Sequence, residues 1–128
     1  MNTNDLIGLK YGWGYAPGDG SGQTDCFQLA CEVHKRLGFA DYTAQFAWVY
    51  ADYQDETFPR VKIARWLLEN GHRLNTLKTG AIVLLPGSVG AALGTVMEDD
   101  TTVFIGPNQT VIRLALPVDS GNYFWMNK

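Results

Sequence analysis

Thr24-Asp25-Cys26-Phe27-Gln28-Leu29-Ala30-Cys31-Glu32-Val33-His34-Lys35-Arg36-Leu37-Gly38 is the stretch that decides the fold. Cys26, Leu29, Ala30, Val33 and Leu37 fall on one helical stripe, while Glu32, Lys35 and Arg36 face outward. Thr24 reads as the N-cap, and Gly38 supplies the left-handed residue that stops the helix. Cys26 therefore opens the first turn, where the positive end of the peptide dipoles favours thiolate over thiol. On the residues alone, a buried structural cysteine at a helix start is the simpler reading. Asp25 reads as a first-turn carboxylate that complements the dipole, not as a base.

Upstream, Gly12 to Gly22 is too rich in glycine for a helix or strand and reads as a loop. A short helical turn is expected before it, from Asn4 to Leu9, capped by Thr3 or Asn4. Downstream, a second helix is expected over Ala44–Tyr53 with Thr43 as cap and Phe46, Val49, Tyr50 and Tyr53 inward. A third starts at Pro59 and runs to Asn70-Gly71, with Val61, Ile63, Ala64, Leu67 and Leu68 on its apolar side. After Thr79-Gly80 the pattern changes to short β-branched runs: Ala81–Leu85, Val89–Met97, Thr101–Ile105, Thr110–Leu116 and Tyr123–Met126. Turns separate them at Pro86-Gly87, Glu98-Asp99-Asp100 and Gly106-Pro107-Asn108. Helices first and a meander of strands afterwards give an α+β fold, its antiparallel sheet of about five strands packed on the helix that carries Cys26.

The 128 residues suit a single domain, 1–128, with 46% hydrophobic and 18% charged content. Net charge is -3 and no run of Lys or Arg exceeds two, so no nucleic-acid or anionic-membrane surface is expected. No apolar stretch is long enough to span a bilayer, and Met1-Asn2-Thr3-Asn4-Asp5 does not read as a signal peptide. Cys26 and Cys31, five apart on one helix, have Cα atoms roughly 8–9 Å apart and diverge, which excludes a disulfide. No ligand pair shows metal spacing, so no metal or other cofactor is expected, and Cys31 reads as a small buried hydrophobe. The Gly-rich loop lacks the Gly-Lys-Ser/Thr ending of a phosphate cradle.

Tyr11-Gly12-Trp13-Gly14, then Asp25-Cys26-Phe27-Gln28 ahead of Leu37-Gly38, then Thr79-Gly80-Ala81-Ile82-Val83 and Ser88-Val89-Gly90 follow one another in a telling order. That order resembles the NlpC family of papain-like cell-wall cysteine peptidases. There a Tyr-x-x-Gly motif precedes Asp-Cys-Ser-Gly at the central helix, and a Gly-Asp-Leu-Val strand precedes His-Val-Gly-Ile and a second histidine strand. The resemblance spans essentially the whole chain. It implies a papain-like NlpC-type fold with Cys26 in the nucleophile slot. Tyr11 and Trp13, with Tyr15, are then candidates either for lining a substrate groove or for anchoring the loop to the core.

Three departures bear on activity. Ser88 stands where the family has its catalytic histidine, the second histidine would fall near Ile105 or Gly106, and Phe27-Gln28 replace the small Ser-Gly pair beside the thiol. Acyl transfer by cysteine needs a base to hold the thiolate and an acid to protonate the leaving amine. Serine does neither at neutral pH, and losing a general acid–base typically costs ~10²- to 10⁴-fold in rate. His34, eight residues along the helix, lies about 12 Å from Cys26 along the axis. Both His34 and His72 read as exposed surface histidines; His72 follows the Asn70-Gly71 stop in a connection that the sequence does not fix, and placing it against Cys26 would need an arrangement unlike the family's.

The reading adopted is a catalytically degenerate domain with a vestigial Cys26, serving as a structural or interaction component of a bacteriophage tail or baseplate. Its partners are then other virion proteins, and assembly into the particle takes the place of an export signal. The alternative is an active cysteine peptidase or amidase that hydrolyses peptidoglycan stem peptides during phage entry. Tyr42, Trp48, Tyr50, Tyr53, Phe58 and Trp66 are dense for two short helices; most belong to the core, and some are candidates for an interface.

Overall fold

The computed structural model describes residues 2–86 and 93–126, with the side chains of Glu56 and Ser120 left aside. Ser88 and residues 89–92 of the expected second strand lie outside the described residues. The N-terminal part holds two short strands, β1 (Lys10–Tyr11) and β2 (Gln23–Thr24), and three helices, α1 (Cys26–Arg36), α2 (Ala47–Asp52) and α3 (Arg60–Asn70). Six strands follow: β3 (His72–Leu74), β4 (Ile82–Leu84), β5 (Leu93–Val96), β6 (Thr102–Ile105), β7 (Val111–Leu114) and β8 (Asn122–Trp125). They form one antiparallel sheet in the order β3-β8-β4-β5-β6-β7.

The α+β reading therefore stands, with six strands instead of five. The added strand, β3, was hidden because His72-Arg73-Leu74 has no apolar alternation; it pairs with β8 through His72↔Trp125 and Leu74↔Tyr123. The meander is real only from β4 to β7. The last strand, β8, crosses back to fill the free edge of β4, pairing Val83 with Tyr123. Ala81 and Val83 are fully buried as a result.

Side chains alternate between the two faces of the sheet, as the pleat requires. Ile82, Leu93, Val103, Ile105, Val111 and Phe124 share a core with α1, whose Leu29, Ala30 and Val33 pack on β5 and β6. Val83, Val96, Phe104 and Tyr123 point to the opposite face, under Leu74, Leu77, Leu116 and Trp125.

Local expectations need four corrections. Residues 4–8 form turns, not a helix: Thr3 O accepts from Leu6 and Ile7, and Gly8 N–H then leaves to donate to Val111 O at 2.9 Å. Asp25, not Thr24, is the N-cap of α1; its backbone is extended, and its carboxylate accepts from Gln28 N–H. The second helix is shorter than expected, a 3-10 turn over Thr43–Phe46 leading into α2. On α3, Val61 and Leu68 are 64% and 60% exposed, because the buried line is set by Ile63 and Leu67. At 100° per residue, Val61 lies opposite Ile63 and Leu68 is a quarter turn past Leu67.

Candidate functional site

Cys26 stands in the first turn of α1, as expected, but its chemistry differs from the expectation. The residue is only 6% exposed. Burial pushes the thiol up to about 12, and the neighbouring Asp25 charge pushes the same way. The Leu93 backbone on β5 and the positive charge of Arg60 oppose this and lose. Desolvating a thiolate costs more here than a helix terminus returns, since dipole effects amount to about 0.3–1 kcal/mol in most settings. At pH 7.5 a thiol with that affinity for its proton is ionised about once in 10⁴ molecules or less.

Asp25 is the structural hub of the region. It is fully buried, and its carboxylate accepts three hydrogen bonds: from Gly14 N–H at 2.8 Å, Gln28 N–H at 2.9 Å and Tyr50 O–H at 2.7 Å. One side chain thus ties the Gly-rich loop, α1 and α2 together. Burial raises its affinity for a proton, and the hydrogen bonds oppose that rise. Tyr50 is held protonated well beyond the ordinary phenol range, first by burial and then by the Asp25 charge. The partnership with Tyr50 was missed from sequence; the signal for it was the inward position of Tyr50 on the second helix.

Tyr11 is half-buried and donates to Asp55, which with burial holds the phenol protonated. Trp13 packs edge-on against Tyr50 at 5.2 Å and Phe27 at 6.2 Å, and against Phe58 at 6.0 Å. These contacts anchor the loop. Phe27 is buried within that same aromatic cluster, 5.3 Å from Phe46 and 5.2 Å from Phe58. Ile105, near the expected second histidine position, is a buried sheet residue paired with Val111. Cys31 is buried and free, its thiol raised to about 11 mainly by burial.

The histidines divide. His34 was expected at the surface and is instead fully buried, because the C-terminal turn of α1 is covered by Phe39 at 6.0 Å and Tyr42 at 5.4 Å between ring centroids. Neither ring nitrogen has a hydrogen-bond partner of good geometry. Burial lowers the imidazole to about 4, with the Gly80 backbone opposing. His72 is exposed on β3, as expected. β3 is three strand spacings from β5, where the Cys26 thiol sits, so about 14 Å of sheet separates them. Among the described residues, no imidazole is placed to serve the thiol, and no cluster of residues is suited to hold a metal ion.

Among the described residues no helix is long and apolar enough to cross a membrane. Comparison of the chain with protein-family models, with curated proteins and with solved structures finds no match to any of them.

Proposed function

We propose that the protein is a degenerate NlpC-like domain of papain-like fold that acts as a structural or interaction component, in a bacteriophage tail or baseplate, with other virion proteins as partners. One observation carries the reading: Cys26, at the start of the central helix, is buried with its thiol raised to about 12, and no described imidazole can serve it. A nucleophile must be ionised, reachable and paired with a proton carrier. Cys26 is none of these.

The order of elements supports the fold part of the proposal. A helix opening on cysteine packs against an antiparallel sheet, and a Gly-rich loop with Tyr11 and Trp13 lies ahead of it. Phe27, which stands where the resembling family has a small serine, is buried in an aromatic cluster with Trp13, Phe46 and Phe58. The virion placement rests on the sequence resemblance, since a fold does not fix function.

The test is digestion of purified peptidoglycan by wild type, Cys26→Ala and Ser88→His, with soluble muropeptides measured by chromatography. The proposal expects background release from all three, because the sequence has no histidine at Ile105 or Gly106, where the resembling family carries the one that orients its catalytic ring. Release by wild type that Cys26→Ala abolishes establishes the peptidase reading instead.

A further inference from the structure

The charge of this chain is not evenly spread. Residues 41–59 hold Asp41, Asp52, Asp55 and Glu56 and no Lys or Arg. Residues 60–73, directly after them, hold Arg60, Lys62, Arg65 and Arg73 against Glu69 alone, a local charge of +3 in a chain whose net charge is -3. The first block covers the 3-10 turn, α2 and the approach to α3; the second covers α3 and β3.

Two adjacent blocks of opposite charge would be expected to neutralise each other, and they do not. Among the described residues, Lys62 and Arg65 have no acidic partner within ion-pair distance. Arg60 spends its guanidinium on Leu85 O, and Arg73 on Asn122 Oδ1. On the acidic side, Asp55 accepts from Tyr11 and Asp41 from Thr43, while Asp52 is exposed. Val61 and Leu68, the two most exposed large apolar side chains of the described residues, flank Arg65 on one face of α3. At 100° per residue these three fall within an arc of about 60°. An apolar pair beside uncompensated cations is the composition of a contact surface, not of a solvated helix face.

We infer that the occupant of this face is a second copy of the chain: α3 of one copy docks on the acidic 41–57 segment of another. The complement is present in the same molecule, since that segment offers the exposed Asp52, which among the described residues has no cation within ion-pair distance, next to half-buried Trp48 and Tyr53, against which Val61 and Leu68 can pack. A polyanion or an anionic membrane fits less well. The rest of the chain carries a formal charge of -6, which repels both, and two apolar side chains are too few to seat a helix in a bilayer. A pairing between two different patches leaves each patch free on one end, so it extends to rings or filaments unless it closes on itself. The inference goes beyond the proposed function and does not rest on it, because an active hydrolase would carry the same surface.

Sedimentation velocity across a concentration series tests it on the whole chain. Wild type is expected to associate at low ionic strength and to dissociate in about 1 M salt, where the Debye length is roughly 3 Å. Lys62→Glu/Arg65→Glu and, separately, Asp52→Lys should each weaken association by about tenfold or more. All three positions are exposed, so circular dichroism should show both variants folded. The decisive arm mixes the two variants. Each still offers one intact patch, so the mixture should form a heterodimer and stop there. A wild-type monomer at every concentration in low salt, association indifferent to salt or to both variants, or a mixture that stays monomeric overturns the inference. So does wild type that binds vesicles of anionic phospholipid while remaining monomeric.

Discussion

His34 offers the sharpest stability prediction, because a buried imidazole whose nitrogens lack hydrogen-bond partners of good geometry can take up a proton only at considerable cost. In the folded chain it titrates at about 4 against 6.5 for the free side chain. As pH falls the unfolded chain binds this proton first. Stability is therefore full above about pH 6.5, declines as pH drops toward 4, and levels off below that. Between pH 7 and pH 4.5 the loss is about 2 kcal/mol, approaching about 3 kcal/mol at lower pH. The groups packed on the ring do not confuse the window: Phe39 does not ionise, and Tyr42 is held protonated above its ordinary range. Asp25 has a raised affinity for protons and contributes a slope of the opposite sign, but it is common to both proteins when wild type is compared with His34→Leu. Urea unfolding of the two, at half-unit steps from pH 4.5 to 7.5, should show the variant gaining about 2 kcal/mol on wild type as pH falls. At pH 7 it should be no less stable, since Leu removes two unpartnered nitrogens. Parallel pH curves for the two proteins would refute the reasoning, because they would mean that the His34 ring is solvated or paired.

Asp25→Ala should destabilise the fold by about 3 kcal/mol, since it leaves two backbone N–H groups and the Tyr50 hydroxyl without their acceptor; chemical denaturation measures it, and a loss under about 1 kcal/mol would remove Asp25 from its central place. Tyr50→Phe should cost about 2 kcal/mol by the same assay, being one hydrogen bond to a charged group. Gly80→Ala should cost about 2 kcal/mol or more, because Gly80 has a φ of +89° and an added Cβ would meet the Phe39 ring. A thermal midpoint within about 2 °C of wild type for Gly80→Ala would contradict that packing.

The parts legible in sequence were those set by local pattern. The α1 stripe from Cys26 to Leu37 and the β4 to β7 runs follow from periodicity that any chain must respect. What stayed hidden depended on tertiary contact. β3 is a strand only because β8 returns to pair with it. His34 is buried only because Phe39 and Tyr42, which lie beyond the helix, fold over its last turn. At the site, the position of Cys26 was readable and its ionisation was not. The helix dipole is a property of sequence position, whereas desolvation depends on what the folded chain packs around the sulfur, the Leu93 backbone of β5 among it. Asp25 was readable as an acid near a helix start; its grip on Gly14 and Tyr50 required the folded chain.

The central claim is that Cys26 is not a working nucleophile, and its ionisation in the native protein tests that directly. The measurement is the rate of Cys26 alkylation by iodoacetamide from pH 5 to pH 10, followed by peptide mass spectrometry so that Cys26 is distinguished from Cys31. A thiol raised to about 12 by burial should react at less than about 1% of the rate of a free cysteine across this range, with no plateau. A fast reaction that levels off below pH 7 would contradict the account, for it would reveal an accessible thiolate held by a partner base.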